Sequence, residues 1–319
     1  MHNNIEKITR VLELSEKLGR EAAAIRLGIQ EETIDRYHRE AKAKGIEITE
    51  HKPLPKILVY DVENAPTEAA VWGMFKQFIR KEQIVSEWYM LSWAAKWLFE
   101  PEIFSDVITP HESIKNDDKR IMQSLWTMID QADIIVGHNI LGFDIQKMNT
   151  RMVVNGLMPP SSVQAIDTLL QARKNFAFSR NDLDYLCGQF GLSERKADNG
   201  GMDRWLRCIK GDPDALLEME KYNRQDIAAS EELYLAMMPW MKAHPNLALY
   251  MDQKADACHR CGSIDLDWLK REDGTSKCYV TNVNRYPEYR CNKCGGNGRS
   301  RFSEMSKEQR KVITSPVAR

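Results

Sequence analysis

Apolar residues are spaced in three different ways along the 319-residue chain. In the first stretch, residues 1–50, they recur every three or four positions, which is typical of amphipathic helices. The segment IEKITRVLELSEKLG shows this period at Ile5, Ile8, Val11 and Leu12. Gly28 and Gly45 stand where glycine often ends a helix. We therefore predict a small helical domain over residues 1–50, followed by a proline-containing linker at residues 51–55.

The second stretch, residues 56–245, alternates short apolar runs with helical patterns. The runs KILVYDVE, IVSEWYML, DIIVGHN and VQAID have the length and β-branched content of strands. A long helix is predicted from Pro213, with Asp212 as its N-cap. Shorter helices are predicted at residues 117–131, 144–156, 168–174 and 182–191. This alternation predicts an α/β domain.

The third stretch, residues 254–302, has short strand-like pieces between two C-x-x-C pairs. Each pair has the spacing of one half of a tetrahedral Zn²⁺ site, and a glycine after each pair relieves a tight turn. We predict a zinc ribbon in which one structural Zn²⁺ is held by Cys258, Cys261, Cys291 and Cys294. The alternative is two redox or unpaired dithiols. Residues 303–319 are predicted to be a flexible basic tail.

Composition and charge add a few limits. Hydrophobic residues make up 43% of the chain and charged residues 29%, as in ordinary globular proteins. We find no apolar run long enough for a membrane span and no signal-peptide core, so an intracellular, cytoplasmic protein without membrane contact is expected. The net charge is −1, but residues 254–319 hold 14 lysine and arginine residues against 8 aspartate and glutamate residues. This excess favours a polyanionic partner.

Acidic residues interrupt several elements of the α/β domain. Asp61 and Glu63 alternate with apolar residues on the first strand, so both carboxylates point to the same face. Asp144 opens a helix after the apolar strand at residues 133–139. Tyr222 and Asp226 are four residues apart on the long helix and share a face. Alone, each has another explanation: solvated acids, an N-cap or ordinary packing. Together they suggest a divalent-cation site, since Mg²⁺ prefers carboxylate oxygens.

The order of these motifs resembles the DEDD family of 3′–5′ exonucleases. Asp61 and Glu63 match the D-x-E motif, HNILGFD matches N-x3-[FY]-D, and YNRQD matches Y-x3-D. Lys221 stands where the histidine variant of the family needs His, whereas Tyr222 matches the tyrosine variant. The resemblance covers residues 55–240 and implies a ribonuclease-H-like mixed sheet flanked by helices.

The resemblance also implies roles for individual residues. Asp61, Glu63, Asp144 and Asp226 would hold two Mg²⁺ or Mn²⁺ ions, and Tyr222 would orient the attacking water. Asn139 and Phe143 would border the scissile nucleotide. His138 is a weaker substrate-binding candidate, since a histidine at a strand end is often structural. The implied reaction is phosphodiester hydrolysis by two metal ions.

The first domain resembles a helix-turn-helix, with Thr33 and Ile34 opening the recognition helix. Arg36 and Arg39 are its candidate DNA contacts, although a protein-docking role is an open alternative. In the zinc ribbon, Lys293, Arg299 and Arg301 are candidate phosphate contacts, and a purely structural module is the alternative.

The function expected from the sequence is a metal-dependent 3′–5′ exonuclease. DNA is favoured over RNA as the substrate, because helix-turn-helix modules usually read duplexes. The alternatives are an exoribonuclease of the ribonuclease D type and a non-catalytic nucleic-acid-binding protein. The resemblance implies that this combination of domains belongs to a bacterial or phage protein, located in the cytoplasm of a bacterial or phage-infected cell. A replication or repair protein is a possible partner. The sequence does not indicate an oligomeric state.

Overall fold

The structure, a computed structural model, describes residues 8, 11, 12, 15, 24, 29–43, 55–195, 200–251 and 255–314. The chain divides into two units, Met1–Pro53 and Leu54–Arg319. Ile5, the predicted helix ends at Gly28 and Gly45, most of the linker and the last residues of the tail lie outside the described residues.

The first unit contains helix α1, Glu31–Ala43. Its apolar face packs against buried side chains from earlier in the chain, as the helical period predicts. This small core consists of Ile8, Val11, Leu12, Ala24, Ile34, Tyr37 and Ala41. Ser15 Oγ lies 3.0 Å from His38 Nε2, so that histidine contributes to the packing of the unit. The helix-turn-helix assignment stays a prediction.

A mixed five-stranded sheet forms the centre of the second unit. Its order is β5–β4–β1–β6–β7. Neighbours β5, β4 and β1 are antiparallel, whereas β1, β6 and β7 are parallel. The strands are β1 Ile57–Asn64, β4 Met90–Trp97, β5 Ile103–Val107, β6 Ile134–Gly137 and β7 Gln164–Asp167. A separate pair, β2 Glu68–Ala69 and β3 Ile84–Ser86, lies between β1 and β4 in the chain.

Helices cover both faces of this sheet. They are α2 Pro110–Ile114, α3 Lys119–Asp130, α4 Asp144–Val154, α5 Thr168–Asn175, α6 Leu183–Gln189, α7 Gly201–Ile209 and α8 Pro213–Met237. Alternate residues of β1 enter different cores: Leu58, Tyr60 and Val62 pack in one, and Ile57 and Val59 in the other. The α/β architecture expected from the alternating patterns is therefore confirmed.

Several elements differ from the sequence expectation. The run IVSEWYML is divided between β3 and β4, because Glu87, Trp88 and Tyr89 separate the two strands. Strand β4 then continues through SWAAKW, where the alanines do not indicate a strand. Strand β5 and helix α7 were not predicted. Strand β5 lacks the continuous apolar run that marks β6, and each of its residues is only partly buried.

The C-terminal region forms a second, small antiparallel sheet. Strand β10 pairs with β8, β9 and β11. The strands are β8 Leu266–Trp268, β9 Cys278–Val280, β10 Arg285–Cys291 and β11 Asn297–Arg299, and a short helix α9, Lys307–Lys311, follows. Among the described residues, no helix has both the length and the apolar content needed to cross a bilayer.

Candidate active site

Three carboxylates converge at the end of the central strand β1. Single oxygens of Asp61, Glu63 and Asp226 all lie within 4.8 Å of one another. Asp61 and Glu63 share a face of β1 because side chains alternate along a strand. Their partners on β4 are Ala94 and Ser92, which have short side chains and are fully buried. The group has the hard oxygen donors that a divalent cation requires.

Helix α8 brings the third carboxylate to this strand. Asn223 is fully buried on α8, and its Nδ2 donates to Ser92 Oγ on β4 at 3.3 Å. Asp226 follows Asn223 by three residues and therefore lies almost one turn further along the helix. The sequence analysis did not identify Asn223 or Ser92 as part of the site. Asn223 lies within the YNRQD motif, which was the available signal for it.

Asp144, the fourth predicted acid, is outside the group that meets within 4.8 Å. It is buried, and its Oδ1 accepts a hydrogen bond from the Val62 N–H at 3.2 Å. The pairing of β1 with β6 stops at Val59, so Asp144 occupies the side of β1 beyond the end of that pairing. Burial raises the pKa of the Asp144 carboxyl to about 7, and Asp167 adds to the rise. Asp144 thus lies beside Val62, the residue between Asp61 and Glu63.

The loop before Asp144 is fixed by the carboxylate of Asp167. Besides capping α5 at Leu170, Asp167 accepts hydrogen bonds from the backbone N–H groups of Asn139 and Leu141, each at 3.1 Å. Asn139 takes a left-handed conformation with φ of 67°, which asparagine tolerates better than most residues. The same side chain thus caps α5 and shapes the loop.

The candidate substrate contacts differ in what they touch. His138 Nδ1 lies 2.9 Å from Thr168 Oγ1, and its Nε2 lies 2.9 Å from the Asn181 carbonyl oxygen. Both ring nitrogens therefore bind within the protein, which is the structural role expected of a histidine at a strand end. Phe143 is 41% exposed, next to Asp144, and is available to a ligand.

Tyr222 lies one helical turn before Asp226 and is buried. Helix α7 covers its ring: Trp205 makes an edge contact with a centroid distance of 6.4 Å, and the Arg204 guanidinium lies 5.8 Å from the ring centroid. Because α7 was not predicted, neither contact was foreseen. The two side chains fix the orientation of the Tyr222 ring beside the carboxylates.

Comparison with known proteins supports the architecture of this domain. A family model described as RNase_H superfamily matches residues 101–238, less than half of the chain. That region includes Asp144, Tyr222 and Asp226 but begins after β1, so it excludes Asp61 and Glu63. Together with the mixed five-stranded sheet, this match decides the fold. The central domain is ribonuclease-H-like.

One solved structure similar to the chain is the family B DNA polymerase from the hyperthermophilic archaeon Pyrobaculum calidifontis. The similarity has a TM-score of 0.40 and 16% sequence identity, and it covers 75% of this chain but only 33% of the polymerase. No curated protein matches the sequence.

Beyond the ribonuclease-H-like domain, four cysteines form a second candidate metal site. Cys258, Cys261, Cys291 and Cys294 have sulfurs that all lie within 4.8 Å of one another. Two of the Sγ–Sγ distances are 3.7 Å, Cys258 to Cys294, and 3.5 Å, Cys261 to Cys291. Both distances are longer than the S–S bond of a disulfide. Four thiolates around Zn²⁺ at about 2.3 Å would be separated by roughly 3.8 Å, so the cluster fits a tetrahedral zinc site.

The other predicted contacts lie on the surface. Arg36, Arg39, Lys293 and Arg301 are exposed. Arg299 is also exposed, with its guanidinium 4.1 Å from the ring centroid of Tyr286. His259 lies between the first two cysteines, but its Nδ1 is 3.0 Å from the Tyr289 hydroxyl oxygen, and it is not a member of the cysteine group.

Proposed function

We propose that the protein is a metal-dependent 3′–5′ exonuclease that hydrolyses phosphodiester bonds of nucleic acid, with DNA favoured as the substrate. The observation that carries this proposal is the convergence of Asp61, Glu63 and Asp226 within 4.8 Å on a ribonuclease-H-like domain. Three carboxylates at that separation repel one another strongly unless a cation or proton lies among them.

The donor set fits Mg²⁺ or Mn²⁺. Carboxylate oxygens are the ligands that these hard cations prefer, and partial exposure of Asp61 and Glu63 leaves room for water and a phosphate. When bound, such cations lower the pKa of coordinated water and neutralise charge on the phosphate. Asp61, Glu63 and Asp226 would hold them on one face of β1, and Asp144 would contribute from beyond Val62.

The remaining residues of the site would position the substrate. Tyr222 would orient the attacking water by a hydrogen bond from its hydroxyl group. Phe143 would pack against the terminal nucleotide, beside the loop that Asp167 fixes around Asn139. None of these groups needs to change its charge, so their contribution is orientation.

Two further regions would support binding rather than hydrolysis. The cysteine cluster would hold one structural Zn²⁺ in a zinc ribbon, with Lys293, Arg299 and Arg301 available to phosphates. In the first unit, Arg36 and Arg39 on α1 would contact duplex DNA. The exposed position of these five residues supports the proposal.

The test uses end-labelled oligonucleotides, single- and double-stranded, of DNA and of RNA, with and without Mg²⁺. We expect Mg²⁺-dependent shortening from the 3′ end, with DNA degraded faster than RNA. Asp61→Asn should abolish the reaction without lowering the melting temperature, because the side chain keeps its shape and loses only its charge.

Glu272→Gln, which removes one negative charge from an exposed side chain, serves as the matched control and should keep wild-type activity. Undiminished hydrolysis by Asp61→Asn would contradict the metal assignment. Faster degradation of RNA would identify an exoribonuclease instead. Binding of oligonucleotides without any Mg²⁺-dependent shortening would indicate a non-catalytic binding protein.

A further inference from the structure

Residues 70–81, between β2 and β3, expose large apolar side chains to solvent. We call this segment the aromatic arm. Trp72 is 100% exposed, and Phe75 and Phe78 are each 85% exposed. Folded proteins rarely leave several large aromatic side chains together in water, so such a group indicates a binding surface.

Charge distinguishes the aromatic arm from an ordinary apolar docking surface. Lys76 lies between Phe75 and Phe78, and Arg80 and Lys81 follow these rings. The segment 70–81 contains no acidic residue; Glu82, the next residue, has a carboxylate oxygen 3.9 Å from Lys81 Nζ. Aromatic side chains interleaved with cations are the usual surface for single-stranded nucleic acid, where rings stack on bases and cations contact phosphates. A patch for a protein partner would be expected to contain fewer lysines.

The arm also leaves the sheet next to the carboxylates. The chain leaves the sheet after β1, whose second-to-last residue is Glu63, and then forms β2, the arm and β3. It returns to the sheet through Trp88 and Tyr89, just before β4. The Ala65 N–H donates to the Tyr89 carbonyl oxygen at 2.8 Å, which brings the two ends of the excursion together. Both ends therefore lie at the edge of the candidate active site.

Helix α4 fixes the returning end of this excursion. Arg151 Nη1 donates to the Trp88 carbonyl oxygen at 3.3 Å. Lys147 Nζ lies 3.6 Å from the Trp88 ring centroid and 5.4 Å from that of Phe143. Burial lowers the pKa of Lys147. A cation and two rings thus connect the base of the arm to Phe143, the residue directly before Asp144.

We infer that the aromatic arm holds the single-stranded part of a nucleic acid whose 3′ end lies at the carboxylates. Bases stack on Trp72, Phe75 and Phe78, and phosphates contact the three cations of the arm. The inference rests on the proposed function for its choice of ligand, but it concerns binding and can be measured without hydrolysis.

The first measurement is the affinity of the full chain for fluorescent single-stranded oligodeoxynucleotides in EDTA. The variant Trp72→Ala/Phe75→Ala/Phe78→Ala should bind at least about tenfold more weakly, since each base–aromatic stack contributes about that factor. Replacing Lys76, Arg80 and Lys81 by Gln should lower the salt dependence, log Kd against log salt, by about 2, at roughly 0.7 per single-strand phosphate contact.

The matched control removes three exposed apolar side chains outside the arm, by Met158→Ala/Leu249→Ala/Ile264→Ala, and should bind like the wild type. With Mg²⁺, the aromatic variant should lose more activity on an oligonucleotide than on a mononucleotide nitrophenyl ester, which is too short to reach the arm. Wild-type chain that binds through the arm but hydrolyses neither substrate would refute the proposed function and leave the inference standing.

Wild-type affinity and salt dependence in both arm variants would overturn the inference. The main alternative ligand of the arm is a second copy of the chain, and analytical sedimentation tests for it. If the wild type self-associates, and the aromatic variant abolishes this while oligonucleotide affinity stays unchanged, the arm is an interface between copies of the chain.

Discussion

At the scale of single residues, small side chains determine where the charged ones meet. Ala94 and Ser92 lie opposite Asp61 and Glu63 on β4, and both are fully buried, so a larger residue at either place would displace the neighbours that position the carboxylates. Asn223 donates to Ser92, which fixes the helix that carries Asp226. The acids therefore depend on neutral neighbours for their geometry.

Tyr222 provides the sharpest residue-scale test of the proposed reaction. Tyr222→Phe removes only the hydroxyl group, while the ring keeps its contacts with Trp205 and Arg204. Losing one oriented hydrogen bond in a reacting site costs about 100-fold in kcat. We expect that loss in single-turnover assays, with unchanged Mn²⁺ affinity by calorimetry. Tyr185→Phe, on α6, is the control. A wild-type rate in Tyr222→Phe would remove Tyr222 from the mechanism.

His244 provides a pH test that is independent of the carboxylates. Burial lowers its pKa from 6.5 to about 4, and its Nε2 lies 2.8 Å from the Tyr234 hydroxyl oxygen. Because the folded state disfavours the charged form, the stabilisation is complete above pH 6.5, is lost progressively as the pH falls from 6.5, and is fully lost once the pH has fallen through 4. These values predict a loss of about 2 kcal/mol in the free energy of unfolding between pH 7.5 and pH 5.

The measurement is urea unfolding at several pH values. His244→Gln should lack this part of the pH dependence, whereas His111→Gln, at an exposed position, should keep it. If His244→Gln shows the same pH dependence as the wild type, His244 is not the titrating group.

At the scale of elements, α4 is held by a buried ion pair. Asp118, at the N-cap of α3, is fully buried and accepts hydrogen bonds from Arg151 Nε at 2.6 Å and from the Met90 N–H at 2.8 Å. One carboxylate thus joins α3, α4 and β4. Since α4 begins at Asp144, the pair also supports one side of the candidate active site.

Arg151→Met should destabilise the protein by about 3–5 kcal/mol, because it leaves the Asp118 carboxylate buried without its cation. Urea unfolding should show a lower midpoint with an unchanged slope. Arg180→Met breaks the exposed pair with Asp182 and should cost less than about 1 kcal/mol. If both substitutions lowered the free energy of unfolding equally, the buried pair would stabilise the protein no more than the exposed pair does.

Elements with a strong local pattern were predictable from the sequence, and the others were not. Strands β1 and β6 are apolar runs, and α8 has a proline and a cap at its start, so their signals are local. Strand β5 is stabilised by pairing with β4, and helix α7 is stabilised by packing on α8. Because both interactions are with other elements, the sequence of β5 or of α7 alone does not indicate them.

The same distinction applies to the candidate site. Side-chain alternation placed Asp61 and Glu63 on one face, and the C-x-x-C spacing identified the cysteine cluster. The separate position of Asp144 could not be foreseen, because it depends on where β6 stops pairing with β1. The aromatic arm was missed because its apolar residues recur every three or four positions, as in a buried helix face, yet residues 70–80 form no helix and leave these side chains exposed.

At the scale of the whole second unit, the C-terminal sheet packs against the segment that follows α8. Arg260 is buried, and its Nε donates to the Met241 carbonyl oxygen at 2.9 Å. The Leu247 N–H donates to the His259 carbonyl oxygen at 2.7 Å. Both contacts come from residues that lie between Cys258 and Cys261. The loop that carries these two candidate zinc ligands therefore also attaches the C-terminal sheet to the rest of the second unit.

That arrangement predicts a local response to zinc removal. Among the residues that the structure describes, the core of the C-terminal sheet contains three buried residues, Cys258, Tyr289 and Cys291, with Leu266, Trp268 and the other two cysteines packed against them. So small a core depends on bound metal for its stability. We expect one Zn²⁺ per chain by mass spectrometry. Its removal by a chelator should unfold β8–β11 and release the docked Arg260, whereas the large core around β1 stays folded.

Hydrogen exchange distinguishes these regions. Amides of β10 and β11 should lose protection on chelation, and amides of β1 and β6 should keep it. Cys291→Ser should show the same pattern without a chelator, whereas Cys278→Ser, outside the cysteine group, should bind Zn²⁺ and exchange like the wild type. Retained protection of β10 in zinc-free protein would show that the sheet folds without metal, and that the cysteine cluster is not its source of stability.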